Sequence, residues 1–474
     1  MEKLSVKKLK FKEQLFLPLI LASLPSCMTS PPENRQSEPA VPEAKTSQQL
    51  RPFEQKTLKN GLKIYFIQDD SLPRVSMSLL VKVGLAQESV PGVNSITAEM
   101  LDQGTQNHSA TEIADELGGM GTGFSSNAGS DFTMFSADTL SISAEPLIKL
   151  FSEIVQRPVF SDSEIARVKS QTLSYLARKK DNPSGLADDF YEEQVFRGHP
   201  YQRDTVGSVE SVTSLKKKDI IQHYLTWYRP NNSLLAVVGA LDSKMKSLVV
   251  QQMEAWTPKN PPQLSKEDRS EALAPALLLY TKKGLAQTQI RMGLRGIPRN
   301  NPDYLTLRLA FEILGGSFAS RLMQTVRDDL GLTYSIYSSV DARLEPGVFS
   351  ISTFTKNSTV KQTILETQKT LQIYLSSGPK ERELKAAQNQ LIGQFPRALE
   401  TADRFAANIL GLEVYGVPMS YLTDFNKNVQ KVTVEDIRRV LKKYVHPEKL
   451  KTTVYGDIEV EQQLQELKPD IVRL

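Results

Sequence analysis

Two runs of apolar residues with a strand-like pattern open each half of this chain. The first half has "LKIYFIQ", directly after the turn signal Asn60-Gly61, and then "VSMSLLVKVG". The second half has "ALLLYTKKG" and "TQIRMGLRG". Segments with helical periodicity follow in both halves, so the pattern predicts two similar α+β domains, each with a sheet covered by helices.

The closing segments of the two halves also repeat each other. Near the end of the first half, "LKKKDI" leads to Pro230 and, nine residues later, to Gly239. Near the end of the chain, "VTVEDI" leads to Pro447 and, again nine residues later, to Gly456. In each case the pattern predicts a helix, a proline stop and an apolar strand. The shared order and spacing indicate an internal duplication.

The N-terminus has the pattern of a secretory signal. Several lysines precede the apolar run "LFLPLILA", which is too short to span a bilayer, and Leu24-Pro25-Ser26-Cys27 follows. This last pattern resembles a bacterial lipobox, whose cysteine becomes the acylated first residue of the mature protein. It predicts a signal peptide over residues 1–26 and lipidation at Cys27, and a plain signal peptide with an incidental cysteine remains the alternative.

Composition sets the boundaries of the predicted domains. The 474 residues are 40% apolar and 24% charged, which is enough apolar residues for two cored domains. Residues 27–52 are rich in Pro, Ser, Glu and Gln and predict a disordered tether, and residues 257–275 predict an exposed linker. The domains therefore span residues 53–256 and 276–474. Without residues 1–26 the formal charge is close to neutral, and no basic stripe suggests nucleic acid.

The stretch "GVNSITAEMLDQGT" at residues 92–105 resembles a helix of the pitrilysin/insulinase family of zinc metallopeptidases, the inverzincins. The family pattern is Gly-x-x-His-x-x-Glu-His-Met-Leu-x-x-Gly-Thr. The flanking positions match, but Ser95 and Glu99 replace the two histidines and Ala98 replaces the catalytic glutamate. The resemblance implies two tandem α/β-roll domains that face each other as a clamshell.

The three replacements remove the chemistry of a zinc site. Two histidines four residues apart on a helix can reach one zinc ion, and the glutamate between them deprotonates the bound water. Of the three replacements, only Glu99 could bind a metal ion, and an ordinary polar helix position is the alternative for it. The family's third ligand would fall at Ser174 or Tyr175, and neither replaces a carboxylate. We therefore expect this chain to bind no metal or cofactor.

Other catalytic patterns give no alternative site. The four histidines, at positions 108, 199, 223 and 446, have no helical ligand spacing, and we expect them to be structural or solvated. The run "GGMGTG" at 118–123 follows a helical segment, which indicates a helix end and turn instead of a dinucleotide loop. No nucleophile elbow or phosphate-binding loop is present in the sequence.

The second half keeps a different family motif. The segment "LGGSFASRLMQTVRDDLGLTYSIYSS" matches the family's Gly-Gly, Ser-Arg-Leu, arginine, Gly-Leu and tyrosine positions, with Arg327 and Tyr334 seven residues apart. In active relatives this pair binds the substrate backbone near the scissile bond. We expect Arg327 at a helix end and Tyr334 at the start of a strand. An arginine packed on a tyrosine for structural reasons alone is the alternative.

The resemblance implies that two different chains together supply the residues of one active site. Some members of the family are two-chain enzymes, in which one subunit holds zinc and the other supplies the arginine and tyrosine. We expect this chain to be the second kind, a partner of a zinc-bearing subunit that acts on peptides and is anchored by lipid at the periplasmic side of a bacterial outer membrane. The alternatives are a structural scaffold and a stand-alone peptide-binding or chaperone module.

Overall fold

Each half of the chain builds one six-stranded sheet. The computed structural model describes residues 50–262 and 276–474. Their strands are β1 Phe53–Thr57, β2 Lys63–Gln68, β3 Arg74–Val81, β4 Ser125–Ala128, β5 Thr133–Leu140, β6 Ser233–Gly239, β7 Leu277–Thr281, β8 Gln287–Arg295, β9 Ile336–Asp341, β10 Val348–Lys356, β11 Lys451–Gly456 and β12 Asp470–Arg473.

The two sheets have the same topology. Their strand orders are β1-β2-β6-β3-β5-β4 and β12-β7-β11-β8-β10-β9, so the last five positions correspond one to one. The outermost strand differs between the two sheets. Strand β1 is the first strand of its half and lies antiparallel to β2, whereas β12 is the last strand of its half and lies parallel to β7. The predicted pair of α+β domains is confirmed.

Helices cover both sheets. They are α1 Val93–Glu99, α2 Ala110–Gly119, α3 Ala144–Gln156, α4 Asp162–Lys179, α5 Pro183–Val195, α6 Val209–Ser214, α7 Lys217–Trp227, α8 Ser243–Glu254, α9 Tyr304–Gly315, α10 Val360–Ser377, α11 Glu381–Ala398, α12 Ala402–Val414, α13 Ser420–Thr423, α14 Phe425–Lys431, α15 Val434–Tyr444 and α16 Val460–Leu464. A π-helix spans Met323–Asp329.

The duplicated closing segments occupy equivalent places in the two halves. Helix α7 precedes the buried central strand β6, and α15 precedes the buried strand β11. Thr433 begins α15 by accepting a hydrogen bond from the backbone N–H of Asp436 at 3.1 Å, which satisfies one of the free donors at a helix start. The repeated sequence therefore marks a repeated helix and strand.

The halves exchange a helix with each other. Helix α5 of the first half packs on β8 and β11 of the second, and α12 of the second half packs on β6, β3 and β2 of the first. Tyr191 on α5 donates a hydrogen bond to the carbonyl of Phe349 at 3.1 Å. Buried residues of both halves, such as Tyr65 and Phe405, belong to one core cluster. The two halves therefore face each other across a packed core.

Several sequence predictions fall at the margins of the described residues. The predicted signal peptide, Cys27, most of the tether and residues 263–275 of the predicted linker lie outside them. The described residues 50–262 and 276–474 belong to one compact unit. Among the described helices, none has the length and apolar composition needed to cross a bilayer.

Candidate functional site

The helix that resembles a zinc-binding helix is present but largely buried. Helix α1 begins after Gly92, whose φ of 84° lies in the left-handed region. Ser95 is 8% exposed and Ala98 is 2% exposed. Glu99 ends the helix and is half-buried. The three positions of the motif therefore lie together on α1 with a single carboxylate among them.

The electrostatics around Glu99 do not favour an anionic metal ligand. Burial raises the pKa of the Glu99 carboxyl, Asp102 raises it further, and a hydrogen bond from Ser95 opposes both effects. Burial also raises the pKa of Asp102. Each shift favours the neutral acid, whereas a metal ligand must be deprotonated. In the part of the chain that the structure describes, no group of three or more His, Cys, Asp or Glu could hold a metal ion.

The positions expected for a third ligand lie on α4. The hydroxyl of Ser174 donates a hydrogen bond to the carbonyl of Ser170 at 2.9 Å, within its own helix. Tyr175 is 47% exposed. A hydroxyl bound to its helix backbone and an exposed phenol do not complete a zinc site with Glu99.

The retained flanks of the motif have structural roles. A Cβ atom on Gly92 would lie 2.5 Å from the carbonyl oxygen of Val206, so only glycine fits there. Met100 and Leu101 are fully buried. The hydroxyl of Thr105 donates to the carboxylate of Glu153. Packing therefore accounts for the flanking residues of this helix that match the family motif.

A buried polar network behind α1 was not anticipated from the sequence. The side-chain oxygen of Asn94 accepts hydrogen bonds from Tyr228 Oη at 3.0 Å and His223 Nε2 at 3.1 Å. Its amide donates to Thr133 Oγ1 at 2.8 Å. Burial lowers the pKa of His223 to about 3, so this histidine is neutral. The network satisfies each buried polar group and anchors α1 to the sheet.

Each of the other three histidines also has a partner within the protein. His108 Nδ1 lies 2.9 Å from Glu153, and His199 Nε2 lies 2.9 Å from Glu345. His446 Nε2 lies 3.1 Å from the carbonyl of Lys443. The expectation that the histidines are structural therefore fits their contacts.

Arg327 and Tyr334 line the same cavity in the second half. The cavity has a volume of about 740 Å³. Arg327 lies on the π-helix with its side chain 36% exposed, and Tyr334 is 78% exposed. Gly331 lies between them at a φ of 61°, which allows the chain to turn back towards the sheet. The structure thus brings together the two residues that the motif singles out.

The strand after Tyr334 begins later than predicted. Strand β9 starts at Ile336, and Tyr334 lies in the preceding loop. Thr333 Oγ1 donates to the carbonyl of Ser335 at 3.0 Å, and Thr353 Oγ1 donates to the same carbonyl at 2.8 Å. At Ser335 these side-chain hydrogen bonds take the place of backbone hydrogen bonds between strands. The ring of Tyr334 beside it stays exposed in the cavity.

Two further aromatic residues line this cavity, and the sequence motif does not identify them. Phe318 is 76% exposed and lies with its ring centre 5.3 Å from the guanidinium of Arg327. Tyr337, on the edge strand β9, is 51% exposed. The only ion pair of Arg327 among the described residues is a 3.7 Å contact with Asp328. A guanidinium and a phenol held this way can both donate hydrogen bonds to a peptide carbonyl or its oxyanion.

The glycine-rich run at residues 118–123 is a helix end, as predicted. Helix α2 includes Gly118 and Gly119 and is closed by Met120. Gly121 follows with a φ of 68°. The left-handed glycine makes the turn into β4, so this run is not a dinucleotide loop between a strand and a helix.

Two solved structures share this fold over most of their length. The peptidase M16 inactive domain from Pseudomonas fluorescens has a TM-score of 0.78 at 29% sequence identity, over 85% of this chain and 98% of that one. A protease from Helicobacter pylori has a TM-score of 0.76, over 86% of this chain and all of that one. Its identity is 19%, so this second likeness is one of fold alone.

Sequence comparisons identify the same group of proteins. An uncharacterised zinc protease of Rickettsia felis is 28% identical over 302 residues, which cover 62% of this chain and 71% of the relative. One of Bacillus subtilis is 23% identical over 352 residues, which cover 73% of this chain and 84% of the relative. Residues 63–209 match the insulinase family (peptidase family M16), and residues 214–391 match the peptidase M16 inactive domain. The chain therefore belongs to the M16 family of peptidases, the pitrilysin/insulinase group that its motifs resemble.

Proposed function

We propose that this chain is the non-zinc subunit of a two-chain M16 peptidase and supplies Arg327 and Tyr334 to a site completed by a zinc-bearing partner. The observation that carries the proposal is a contrast between the halves. Helix α1 has lost its zinc ligands at positions 95, 98 and 99, whereas Arg327 and Tyr334 line one open cavity. Zinc and its activated water would come from the partner.

The exposure of the pair supports a role in binding. An arginine and a tyrosine kept for packing alone would be covered by neighbours, but the ring of Tyr334 is 78% exposed. No shared hydrogen bond or ion pair joins the two side chains in the described residues. Their donors are therefore available to a ligand, which favours function over the purely structural alternative.

The neighbouring sheet edge supports a peptide as that ligand. Strand β9 is the last strand of its sheet, and Tyr337 and Ser335 beside its start line the same cavity. An extended peptide can add to such an edge through its backbone groups. The carbonyls of a peptide lying there would come within reach of Arg327 and Tyr334.

Export and lipid anchoring at Cys27 form a separate part of the proposal. They rest on the N-terminal sequence alone, with its basic segment, short apolar run and lipobox-like cysteine. Met28, next to that cysteine, favours the periplasmic face of a bacterial outer membrane. The zinc-bearing partner would work at the same surface.

Co-expression with a zinc-bearing relative tests the catalytic role. We expect a stable complex that cleaves peptides, in which Arg327→Ala or Tyr334→Phe lowers turnover about 10²- to 10³-fold, as for a lost oxyanion donor. Tyr334→Phe is the sharper change, because it deletes one hydroxyl and keeps the ring. Complex yield and zinc content should stay the same.

A matched control is Tyr304→Phe, which removes a tyrosine hydroxyl at the start of α9, outside the cavity. This variant should cleave at the normal rate. Normal turnover in both Arg327→Ala and Tyr334→Phe, within intact complexes, would instead favour the scaffold. Peptide binding without cleavage in any complex would favour the chaperone-like module.

A further inference from the structure

A second cavity lies beside the one that contains Arg327 and Tyr334. Its volume is about 670 Å³, and it is formed by α10, the start of α11, and the first part of the π-helix with the segment before it. Ala319 lines both cavities. On α11, Arg382 and Ala386 line the second cavity and Gln390 lines the first. Positions four residues apart share one face of a helix, so the two cavities form one continuous groove along α11.

The far end of this groove is positively charged. Its lining includes four cationic side chains and two carboxylates, which are Arg321, Lys369, Lys380, Arg382, Glu366 and Glu383. Arg321 makes two hydrogen bonds to Glu383, at 2.9 and 2.7 Å. Lys369 lies 3.2 Å from Glu366. The two carboxylates are therefore already neutralised within the groove.

Lys380 and Arg382 differ from Arg321 and Lys369 in forming no ion pair among the described residues, although the charge of Lys380 helps to lower the pKa of Glu383. Neither forms an ion pair within 4.0 Å of any carboxylate in residues 50–262 or 276–474. Both are exposed, and Ile373, which is 53% exposed, provides an apolar wall beside them. Two unpaired cations next to an apolar surface are complementary to a carboxylate on a peptide.

We propose that this end of the groove is a subsite for a carboxylate of the bound peptide, either an acidic side chain or the C-terminus. The proposal rests on the proposed function, because it takes the peptide held by Arg327 and Tyr334 as the ligand. From Gln390 to Arg382 the helix rises about 12 Å. An extended peptide covers that distance in about four residues. The substrate class is therefore a peptide with a carboxylate about four residues from the position that faces Gln390 in the first cavity.

Peptide binding to the isolated chain tests the subsite without requiring catalysis. The probes are fluorescein-labelled, amidated ten-residue peptides that carry Glu or Gln four residues before or after a central leucine, and a Gln peptide with a free C-terminus. Fluorescence anisotropy gives each Kd. We expect at least one carboxylate peptide to bind about fivefold more tightly than the amidated Gln peptide, the effect of two exposed charge contacts. The Glu and free-terminus peptides distinguish the two carboxylate sources.

Paired variants locate the effect on the groove. Lys380→Gln with Arg382→Gln should remove the fivefold preference and leave the affinity for the Gln peptide unchanged. The matched control is Lys385→Gln with Arg397→Gln, which removes two cations of α11 outside this cavity and should keep the preference. Equal binding of all peptides to the unmodified chain, or a preference that survives in the Lys380/Arg382 variant, would overturn the subsite.

The zinc-bearing complex separates this proposal from the catalytic one. There the Lys380/Arg382 variant should raise KM for the carboxylate peptide alone, whereas Tyr334→Phe should lower turnover of all peptides. Normal turnover in both Arg327→Ala and Tyr334→Phe, with an intact carboxylate preference, would contradict the catalytic role and support the subsite. The reverse result, slow turnover without any carboxylate preference, would overturn the subsite and leave the catalytic role standing.

Discussion

Asn94 shows how a single buried amide can hold a helix that lacks the two histidines of the family motif. It lies next to Ser95, the position of the first family histidine, and its side chain connects Tyr228, His223 and Thr133. All of these side chains are buried, so loss of one partner would leave another polar group unsatisfied. In this chain, stability at α1 comes from hydrogen bonds behind the helix.

The buried histidine in this network makes stability depend on pH. The pKa of His223 is lowered to about 3 in the folded chain, from an ordinary value of 6.5. The unfolded chain therefore takes up this proton first as the pH falls. The contribution of His223 to stability is lost between about pH 6.5 and pH 3, and two pH units correspond to about 2.7 kcal/mol.

We expect His223→Gln to lose less stability on acidification than the unmodified chain. Urea unfolding at pH 7.5 and pH 4.5 gives the free energy of unfolding at each pH. The difference between the two values should be about 2 kcal/mol smaller in the variant. His446→Gln is the control substitution, because this histidine lies near the surface, with its side chain 39% exposed. An equal loss of stability in His223→Gln and the unmodified chain would contradict a neutral, buried His223.

At the scale of elements, the exchanged helices join the halves. Phe405 on α12 is 1% exposed. Its ring packs edge-on against Phe53 of the first half, with the two ring centres 6.0 Å apart. The ring of Phe53 in turn packs against that of Tyr65 on β2, with the two ring centres 6.1 Å apart. Arg74 at the start of β3 adds a polar contact, a 2.7 Å hydrogen bond to Asp403 on α12. Helix α12 is therefore part of the first half's core, although its sequence belongs to the second.

We expect Phe405→Ala to lower the free energy of unfolding of the whole chain by about 3 to 5 kcal/mol, as for other buried phenylalanines. Because the ring lies in the shared core, both halves should unfold at a lower temperature together. Circular dichroism during heating measures this, with Ala407→Ser on the exposed face of α12 as the control. A separate transition for one half would show that the exchange does not couple them.

The sequence predicts these elements better than it predicts their partners. The runs around "VSMSLLVKVG" and "TQIRMGLRG" form β3 and β8. These strands could be predicted because an apolar strand pattern can be recognised from neighbouring residues alone. The packing of α5 and α12 on the opposite half depends on contacts distant in sequence, which no local pattern contains. For the same reason the motif located Arg327 and Tyr334 but not Phe318, whose exposure depends on the fold around it.

At the scale of the whole molecule, the predicted attachment to a membrane depends on one atom, the sulfur of Cys27. Cys27 is the single cysteine of the chain. A diacylated cysteine would give the chain a stable hold on a membrane.

We expect Cys27→Ser to move the protein from the membrane fraction to the soluble periplasmic fraction, with its fold unchanged. Fractionation and immunoblotting measure the distribution. Ser26→Ala is the control, because a small residue before the cysteine preserves the lipobox pattern. A Cys27→Ser protein that stays membrane-bound to the same extent would show that the attachment has another cause.

The reciprocal exchange of α5 and α12 also limits how a two-chain peptidase can open. Because each half is covered by a helix of the other, separating them would expose the shared core that includes Tyr65 and Phe405. A hinge motion within this chain would therefore cost free energy, because it would expose apolar core surface to water. In the proposed two-chain peptidase, peptides would therefore enter and leave at the interface between the two chains.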